Sequence, residues 1–442
     1  MTDTAATDFL AELRWRGMLH QTTGDAEVLA HLGEKPRVGY CGFDPTADSL
    51  TIGNLLQIIL LGRFQRAGHH PIAVMGGGTG LIGDPSGKSA ERPLLDAEQI
   101  SHNIARIKLE FERVLDFSPG LSNRAVIMDN LDWLGGIHYI EMLRDIGKHF
   151  SVNVMMSKDS VSSRLNEREQ GISYTEFSYQ VLQAYDFLHL YREHGCTVEI
   201  GGSDQYGNIV AGIDLIRRLE RIDDGEGGTV GAETYGITTP LVTRADGGKI
   251  GKSERGAIWL NADRTSPYQF HQFWLNVADA DVANFLKWYT FLGRDEITDL
   301  EQAATDRPQE REAQRVLADV MTSMIHGESA LASAKAAGQA LFSGEVKDLD
   351  EDGLSAVAAD LESIDVPKAR LDSDPILLGE LLVESGLAKS NREVREFVGG
   401  GAVRVNGEQV KENRAMQASD LLHGRMTLLK RGKKLWRAVN WT

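Results

Sequence analysis

Several clusters along this chain carry residue types whose spacing suits phosphate and amino-acid chemistry. The first is Tyr40-Cys-Gly-Phe-Asp-Pro-Thr46, followed by Ser49-Leu-Thr-Ile-Gly-Asn54. A strand ending near Phe43 and a helix starting near Gly53 would put backbone N–H groups and a positive dipole end at one turn, a natural seat for phosphate. Gly42 and Gly53 let a flat or charged ligand approach the backbone. An ordinary strand-to-helix connection is the bland reading of the same residues. The second cluster is Gly76-Gly-Gly-Thr-Gly-Leu-Ile-Gly-Asp-Pro-Ser-Gly-Lys-Ser89. It approaches the P-loop pattern G-x-x-x-x-G-K-[ST] and fails it. Gly83 stands four positions before Gly87 where five are needed, Ile82 holds the glycine place, and Asp84 brings a negative charge. What remains is a Gly-rich loop carrying Asp84, Lys88 and Arg92.

On a helix, Tyr179, Gln183 and Asp186 fall at i, i+4 and i+7, so one face presents a phenol, an amide and a carboxylate. Such a face could hold the ammonium and hydroxyl of a small amino acid; a packing or solvated face is the alternative. Gly201-Gly-Ser-Asp-Gln205 closes a strand and opens a helix. A carboxylate there suits ribose hydroxyls, and the glycines let a base lie against the backbone. Lys249 and Lys252, in the glycine-rich turn Ala245-Asp-Gly-Gly-Lys-Ile-Gly-Lys-Ser253, could neutralise charge on a transferring phosphate group, or be an exposed basic turn.

The elements that must position these groups alternate. Strands are expected at 37–43, 71–75, 124–128 and 197–200, and helices at 53–67, 99–117, 172–189 and 205–219, from their apolar periodicity. That alternation predicts an α/β fold: a Rossmann-like, doubly wound parallel sheet with ligands beyond the carboxyl ends of its strands. After about Gly256 the period is helical. The chain therefore divides into a Rossmann-like domain (1–255) that carries the candidate site residues, a helical domain (256–343), an acidic, irregular linker (344–374) and a small α+β unit (375–442). The last unit has two short helices and an Asn406-Gly407 hairpin signal.

With 442 residues, 42% hydrophobic and 25% charged, the composition is that of a globular protein of more than one domain. No run of about 18 apolar residues occurs, and the opening has no secretory pattern, so no membrane partner is expected. Cys41 and Cys196 read as buried thiols in a reducing compartment, and cytoplasm is the expected location. The net charge of −17 is unevenly spread: residues 373–442 hold 12 Lys and Arg against 8 Asp and Glu. A locally basic tail can bind a polyanion whatever the total charge; a solubilising end is the alternative.

In this order and spacing the segments resemble the bacterial tyrosyl-tRNA synthetases, a class I aminoacyl-tRNA synthetase family, from about Trp15 to the C-terminus. The resemblance rests on Tyr40–Thr46, Gly80-Leu-Ile-Gly-Asp-Pro-Ser-Gly87, Phe177-Ser-Tyr-Gln180 with Gln183–Asp186, and Gly201–Gln205. It also rests on Lys249-Ile-Gly-Lys-Ser253, which looks like the family's "KMSKS" loop. The resemblance implies that Tyr40 and Asp186 hydrogen-bond a tyrosine phenol. Tyr179, Asp84 and Gln183 would hold its ammonium, with Gln205 completing the pocket. Gly42, Asp44, Gly53, Gly202 and Asp204 would line the ATP site, Asp204 on the ribose. Thr46, Lys88, Arg92, Lys249 and Lys252 would surround the departing pyrophosphate. It further implies L-tyrosine, ATP and tRNA(Tyr) as substrates, Mg2+ arriving with ATP and no dedicated metal site. It implies an S4-like RNA-binding tail and a homodimer with 132–164 near the interface. One departure stands out: the class I "HIGH" signature is here Thr51-Ile-Gly-Asn54, without either histidine. Thr51 and Asn54 are expected to serve as substituted donors in an active enzyme. The competing readings are a synthetase-like RNA binder without activation chemistry, a synthetase for another aromatic amino acid such as tryptophan, and a scaffold.

Overall fold

The computed structural model describes residues 9–84, 95–158, 161–162, 171–223, 228–243, 247, 250–253, 256–359, 361–372, 375–432 and 435–442. The chain forms two compact units, Met1–Arg264 with Ala278–Ala313, and Thr265–Val277 with Gln314–Thr442.

The first unit carries β1 (Gln21–Thr22), β2 (Val38–Phe43), β3 (His70–Met75), β4 (Val126–Asp129) and β5 (Cys196–Gly202). It continues with a hairpin of β6 (Arg221–Asp223) and β7 (Thr229–Gly231), then β8 (Tyr235–Thr239) and a ribbon of β9 (Lys252–Ser253) and β10 (Gly256–Ala257). The main sheet runs β1-β8-β5-β2-β3-β4, parallel except for the edge strand β1. Near-continuous apolar runs such as Ile72-Ala-Val-Met75 form its middle because a parallel sheet is covered on both faces. The chain winds outward from β2 to β4, then returns to the other side of β2 as β5. The carboxyl ends of β2 and β5 therefore flank the topological switch point, where such sheets bind ligands. The α/β expectation holds. The sequence reading lacked β1 and β8, short strands whose Thr and Gly content hides their period.

The helix Ile52–Arg66 follows β2 and is apolar almost all round, because it is buried almost all round. Its second cover is the helix Asp279–Tyr289: the Tyr289 hydroxyl donates to the Ile52 carbonyl at 3.0 Å, and the Arg63 guanidinium donates to the Thr290 carbonyl. Arg16 adds donations to the carbonyls of Lys287 (2.8 Å) and Leu292 (2.7 Å). These bonds tie 278–313 to the first unit, so the expected helical domain at 256–343 is shared between the two units.

In the second unit β11 (Ser363–Val366), β12 (Val403–Val405), β13 (Glu408–Gln409), β14 (Met426–Arg431) and β15 (Leu435–Trp441) form a sheet in the order β11-β15-β14-β12-β13. The helices Leu378–Glu384 and Asn391–Gly399 pack into its core. Asn406 and Gly407, with φ of 49° and 85°, turn β12 into β13, as their dipeptide predicts. The expected linker at 344–374 contains the helix Glu351–Ala359 and the strand β11, which pairs with β15. Leu354, Val357 and Ala358 sit in one core cluster with Leu428 and Trp436. The acidic residues on either side, Asp348 to Asp352 and Asp360 with Glu362, masked that short apolar stripe.

Candidate active site

A cavity of about 530 Å³ lies at the carboxyl ends of β2 and β5, bounded by the starts of the helices Ile52–Arg66 and Tyr206–Leu219 and by the Tyr174–His194 helix. The last of these is set by its ends: Ser173 accepts from the Glu176 N–H at 3.2 Å, and Gly195 stops it at φ 63°. Its Tyr179–Gln183–Asp186 stripe faces the cavity.

The closed end is built from buried side chains that hold one another. Asp186, 4% exposed, accepts from Asn130 Nδ2 at 2.9 Å and from Trp133 Nε1 at 2.7 Å. Burial pushes its carboxyl up to about 8, against the pull of those two donors. Tyr40, 2% exposed, stands on β2 with its ring 5.4 Å from Phe187. Its ionisation is pushed far up by burial first and by the nearby Glu199 and Asp186 carboxyls second. Gln183 accepts from Asn208 at 2.9 Å and donates to Glu199 at 2.9 Å. Gln205 accepts from the same Asn208 at 3.2 Å and donates to Asp84 at 2.8 Å. The Tyr179 hydroxyl donates to Asp44 Oδ1 at 3.4 Å. The six residues expected around tyrosine and Asp44 from the ATP set therefore line one cavity.

Beyond these the lining includes Thr46, Thr51, Gly53 and Asn54 at the helix start, with Gly42 on β2, and Gly202 and Asp204 at the end of β5. A Cβ added at Gly42 would meet nothing within 4 Å, which leaves room for a ligand against β2. Thr51 and Asn54 pair with each other: the Thr51 N–H (3.1 Å) and hydroxyl (2.8 Å) both donate to Asn54 Oδ1. The carbonyl of that amide is thus taken, and its Nδ2 is the donor Asn54 has to offer a ligand. The segment after Gly251 lies against this helix start. Ile258 donates to the Gly251 carbonyl at 2.8 Å, and Ile52 donates to the Ile258 carbonyl at 3.2 Å. Gly251 has φ 85°, and a Cβ there would come within 3.1 Å of Ile52. Lys252 is on β9, paired with Ala257. Its side chain, and Lys88, Arg92 and Lys249 altogether, lie outside the described residues. Among the described residues no group of three or more His, Cys, Asp or Glu is placed to hold a metal.

Sequence reasoning missed Asn130, Trp133 and Glu199. Asn130 follows the carboxyl end of β4, a position that deserved the scrutiny given to β2 and β5. Glu199 is a lone carboxylate inside an apolar strand, which is itself a signal, because an ordinary surface acid does not sit there.

Residues 33–343 match the model of the family described as tRNA synthetases class I (W and Y). The chain belongs to this family. Residues 359–439 match the tyrosine–tRNA ligase SYY-like C-terminal domain. The chain is 49% identical to the tyrosine–tRNA ligase of Bacillus caldotenax over 437 residues, 98% of this chain and 100% of that one. It is 47% identical to the tyrosine–tRNA ligase of Aliivibrio fischeri over 439 residues, 99% and 100% of the two chains. Among solved structures, a C-terminally truncated mitochondrial tyrosyl-tRNA synthetase of Coccidioides posadasii aligns with TM-score 0.65 and 31% identity, covering 75% of this chain and 91% of that one. Membership of the class I family accounts for the position of the cavity at the switch point of a doubly wound sheet. Among the described residues no helix is long and apolar enough to cross a membrane.

Proposed function

We propose that the chain is a tyrosine–tRNA ligase, which activates L-tyrosine with ATP to tyrosyl-adenylate and pyrophosphate and then transfers tyrosine to the 3′ end of tRNA(Tyr). The observation that carries this is the pairing of Tyr40 and Asp186 at the buried end of a cavity whose other end opens at a helix start. A phenol donates to Asp186 and accepts from Tyr40, and a phenylalanine ring would leave both buried groups unpaired. Tyrosyl-tRNA synthetases are themselves the known example of this discrimination, rejecting phenylalanine by roughly 10⁵ without editing. Tyr179, Asp84 and Gln183 hold the ammonium, with Gln205 behind Asp84. The tyrosine carboxylate then points at the α-phosphate of an ATP lying along Gly42, Asp44, Gly53, Gly202 and Asp204.

The carboxylate oxygen bonds to the α-phosphorus as the bond to pyrophosphate breaks. The nucleophile is already ionised, so the step needs no protein base; it needs alignment and charge stabilisation. Asn54, backed by Thr51, donates at the helix start, and Thr46, Lys88, Arg92, Lys249 and Lys252 take up charge on the leaving pyrophosphate. Mg2+ enters with ATP, since the residues here fit phosphates rather than a metal of their own. The tRNA ribose hydroxyl next attacks the adenylate carbonyl, releasing AMP.

The basic C-terminal unit is the RNA-holding part. A homodimer is supported by the large apolar side chains exposed between Tyr139 and Met156, among them Ile140, Val152 and Val154. The two buried free thiols suit a reducing cytoplasm. ATP–pyrophosphate exchange with tyrosine, phenylalanine and tryptophan tests the activity. Exchange with tyrosine alone is expected. No exchange from folded protein that still binds tRNA would replace this reading with that of an RNA binder.

A further inference from the structure

Glu199 lies beneath the tyrosine end of the cavity, and no step above uses it. It is the register partner of Tyr40 across the parallel β2–β5 pair, and it is 2% exposed. Its Oε1 accepts from Gln183 at 2.9 Å. Its Oε2 and the Tyr40 hydroxyl are both buried without an aligned partner, though the two groups lie within reach of each other. Behind Oε2 is the backbone of Gly212, where a Cβ would stand 3.5 Å away, and across the sheet the register partner is Gly236. No side chain competes with Tyr40 from those two positions.

Counting protons gives this arrangement a consequence. On the tyrosine-binding reading, on which this inference rests, bound tyrosine completes a row Asp186–phenol–Tyr40–Glu199 with three oxygen-to-oxygen contacts. Three hydrogen bonds need three protons, and the two hydroxyls supply only two. With both carboxyls ionised, one contact would set oxygen against oxygen, and two negative charges would share a buried site. A third proton on Glu199 runs the chain from Glu199 through Tyr40 and the phenol to Asp186. The same proton on Asp186 runs it in reverse, and either order fills every contact.

We propose that Glu199 is a positioning and specificity residue: together with Asp186 it keeps one proton for the pair, and tyrosine binds only to the singly protonated pair. The groups that face this pair are consistent with it. From β2 come Tyr40 and the Cys41 thiol, and from β5 itself the Cys196 thiol, both thiols held neutral by burial. The Tyr174–His194 helix brings Gln183 and Asp186, and the Tyr206–Leu219 helix brings Asn208 and Gly212. Asn130, Trp133 and Asp44 surround Asp186. Burial pushes the Glu199 carboxyl up to about 7 and the Asp186 carboxyl up to about 8, which brings loss of the pair's last proton into a measurable range.

The experiment is tyrosine binding to the full-length chain between pH 6 and 8.5, by calorimetry in two buffers of different ionisation enthalpy, for wild type and Glu199→Gln. Wild type is expected to take up most of one proton per tyrosine at the alkaline end. Its Kd should rise there with a slope approaching about tenfold per pH unit. Glu199→Gln carries a fixed N–H toward Tyr40, so the proton uptake and the slope should disappear. A Glu199 that merely braces Gln183 would not move either readout. Wild-type binding without proton uptake, or the same slope in folded Glu199→Gln, would overturn the proposal. The wild-type proton count stands even if the variant misfolds. Folded wild type that binds no tyrosine at any pH would instead sink the tyrosine-binding reading, and this proposal with it.

Discussion

The two ends of the cavity are built by different means. At the closed end, polar side chains are fixed by other side chains: Asp186 by Asn130 and Trp133, Gln183 by Asn208 and Glu199, Asp84 by Gln205. At the open end, the groups are a helix start, glycines and the Thr51–Asn54 pair. The cations assigned there stand on glycine-rich stretches of sequence. On the proposed function, the closed end has to tell one buried hydroxyl from its absence, which takes a rigid surround whose polar groups are all paired once tyrosine is bound. On the same proposed function, the open end has to stabilise charge that appears and then leaves, which backbone N–H groups and cations do at little cost in shape. Substitutions at the closed end should therefore act on tyrosine binding, and substitutions at the open end on rate.

The largest effect is expected from Asp186→Ala. On the proposed function it removes the phenol's acceptor, and it strands the Asn130 and Trp133 donors in a dry site. Losing one member of a buried, hydrogen-bonded charge set costs about 2–5 kcal/mol. We expect kcat/KM for tyrosine in pyrophosphate exchange to fall about a thousandfold, mainly through KM, with ATP affinity within about threefold of wild type. A fall confined to kcat would break the division between the ends. Thermal unfolding of the variant separates this from loss of the fold.

Next comes Asn54→Ala. It deletes the Nδ2 donor and also releases Thr51, whose N–H and hydroxyl both end on Asn54 Oδ1. Removing one donor aimed at developing charge typically costs 10²–10³ in kcat. We expect roughly a hundredfold loss of exchange rate, with tyrosine affinity measured without ATP unchanged. A rate within threefold of wild type would mean that the missing histidines are replaced by something other than this amide.

The same division explains what could be read in advance. The open end announces itself in sequence, because glycines, a strand-to-helix turn and clustered lysines are local signals. So did the helix stripe of Tyr179, Gln183 and Asp186, since helical period alone puts them together. The supports of the closed end were not legible. Asn130 and Trp133 reach Asp186 from 56 and 53 residues away, and Asn208 reaches Gln183 across 25. Such contacts are set by how strands and helices stack, which no local period encodes. In the second unit the Asn406-Gly407 turn was legible for the same local reason. The strand β11 was not, because it pairs with a strand more than 60 residues on.

The smallest expected effect concerns a buried carboxyl that anchors the open end. Glu110, on the helix Ala97–Phe111, accepts from the Ser49 hydroxyl at 2.6 Å and from the Leu50 N–H at 2.9 Å. It thereby pins the turn that leads into Thr51. Burial pushes its carboxyl up to about 7, against the pull of those donors. A raised carboxyl pKa means that the folded chain holds a proton which the unfolded chain gives up near its ordinary 4.5. This contribution to stability is present below about pH 4.5 and is lost as pH rises toward 7. Glu110→Gln mimics the protonated acid at every pH. We expect the stability difference between wild type and Glu110→Gln, from denaturant midpoints at pH 5 to 8, to move toward the variant by on the order of 1–3 kcal/mol. Exchange rates at pH 6 should stay within a few-fold, because the turn keeps its anchor. A gap that stays flat across this range would mean that Glu110 is ionised at no cost. The anchoring of the open end would then resemble that of an ordinary surface turn, and the contrast between the two ends would be sharper still.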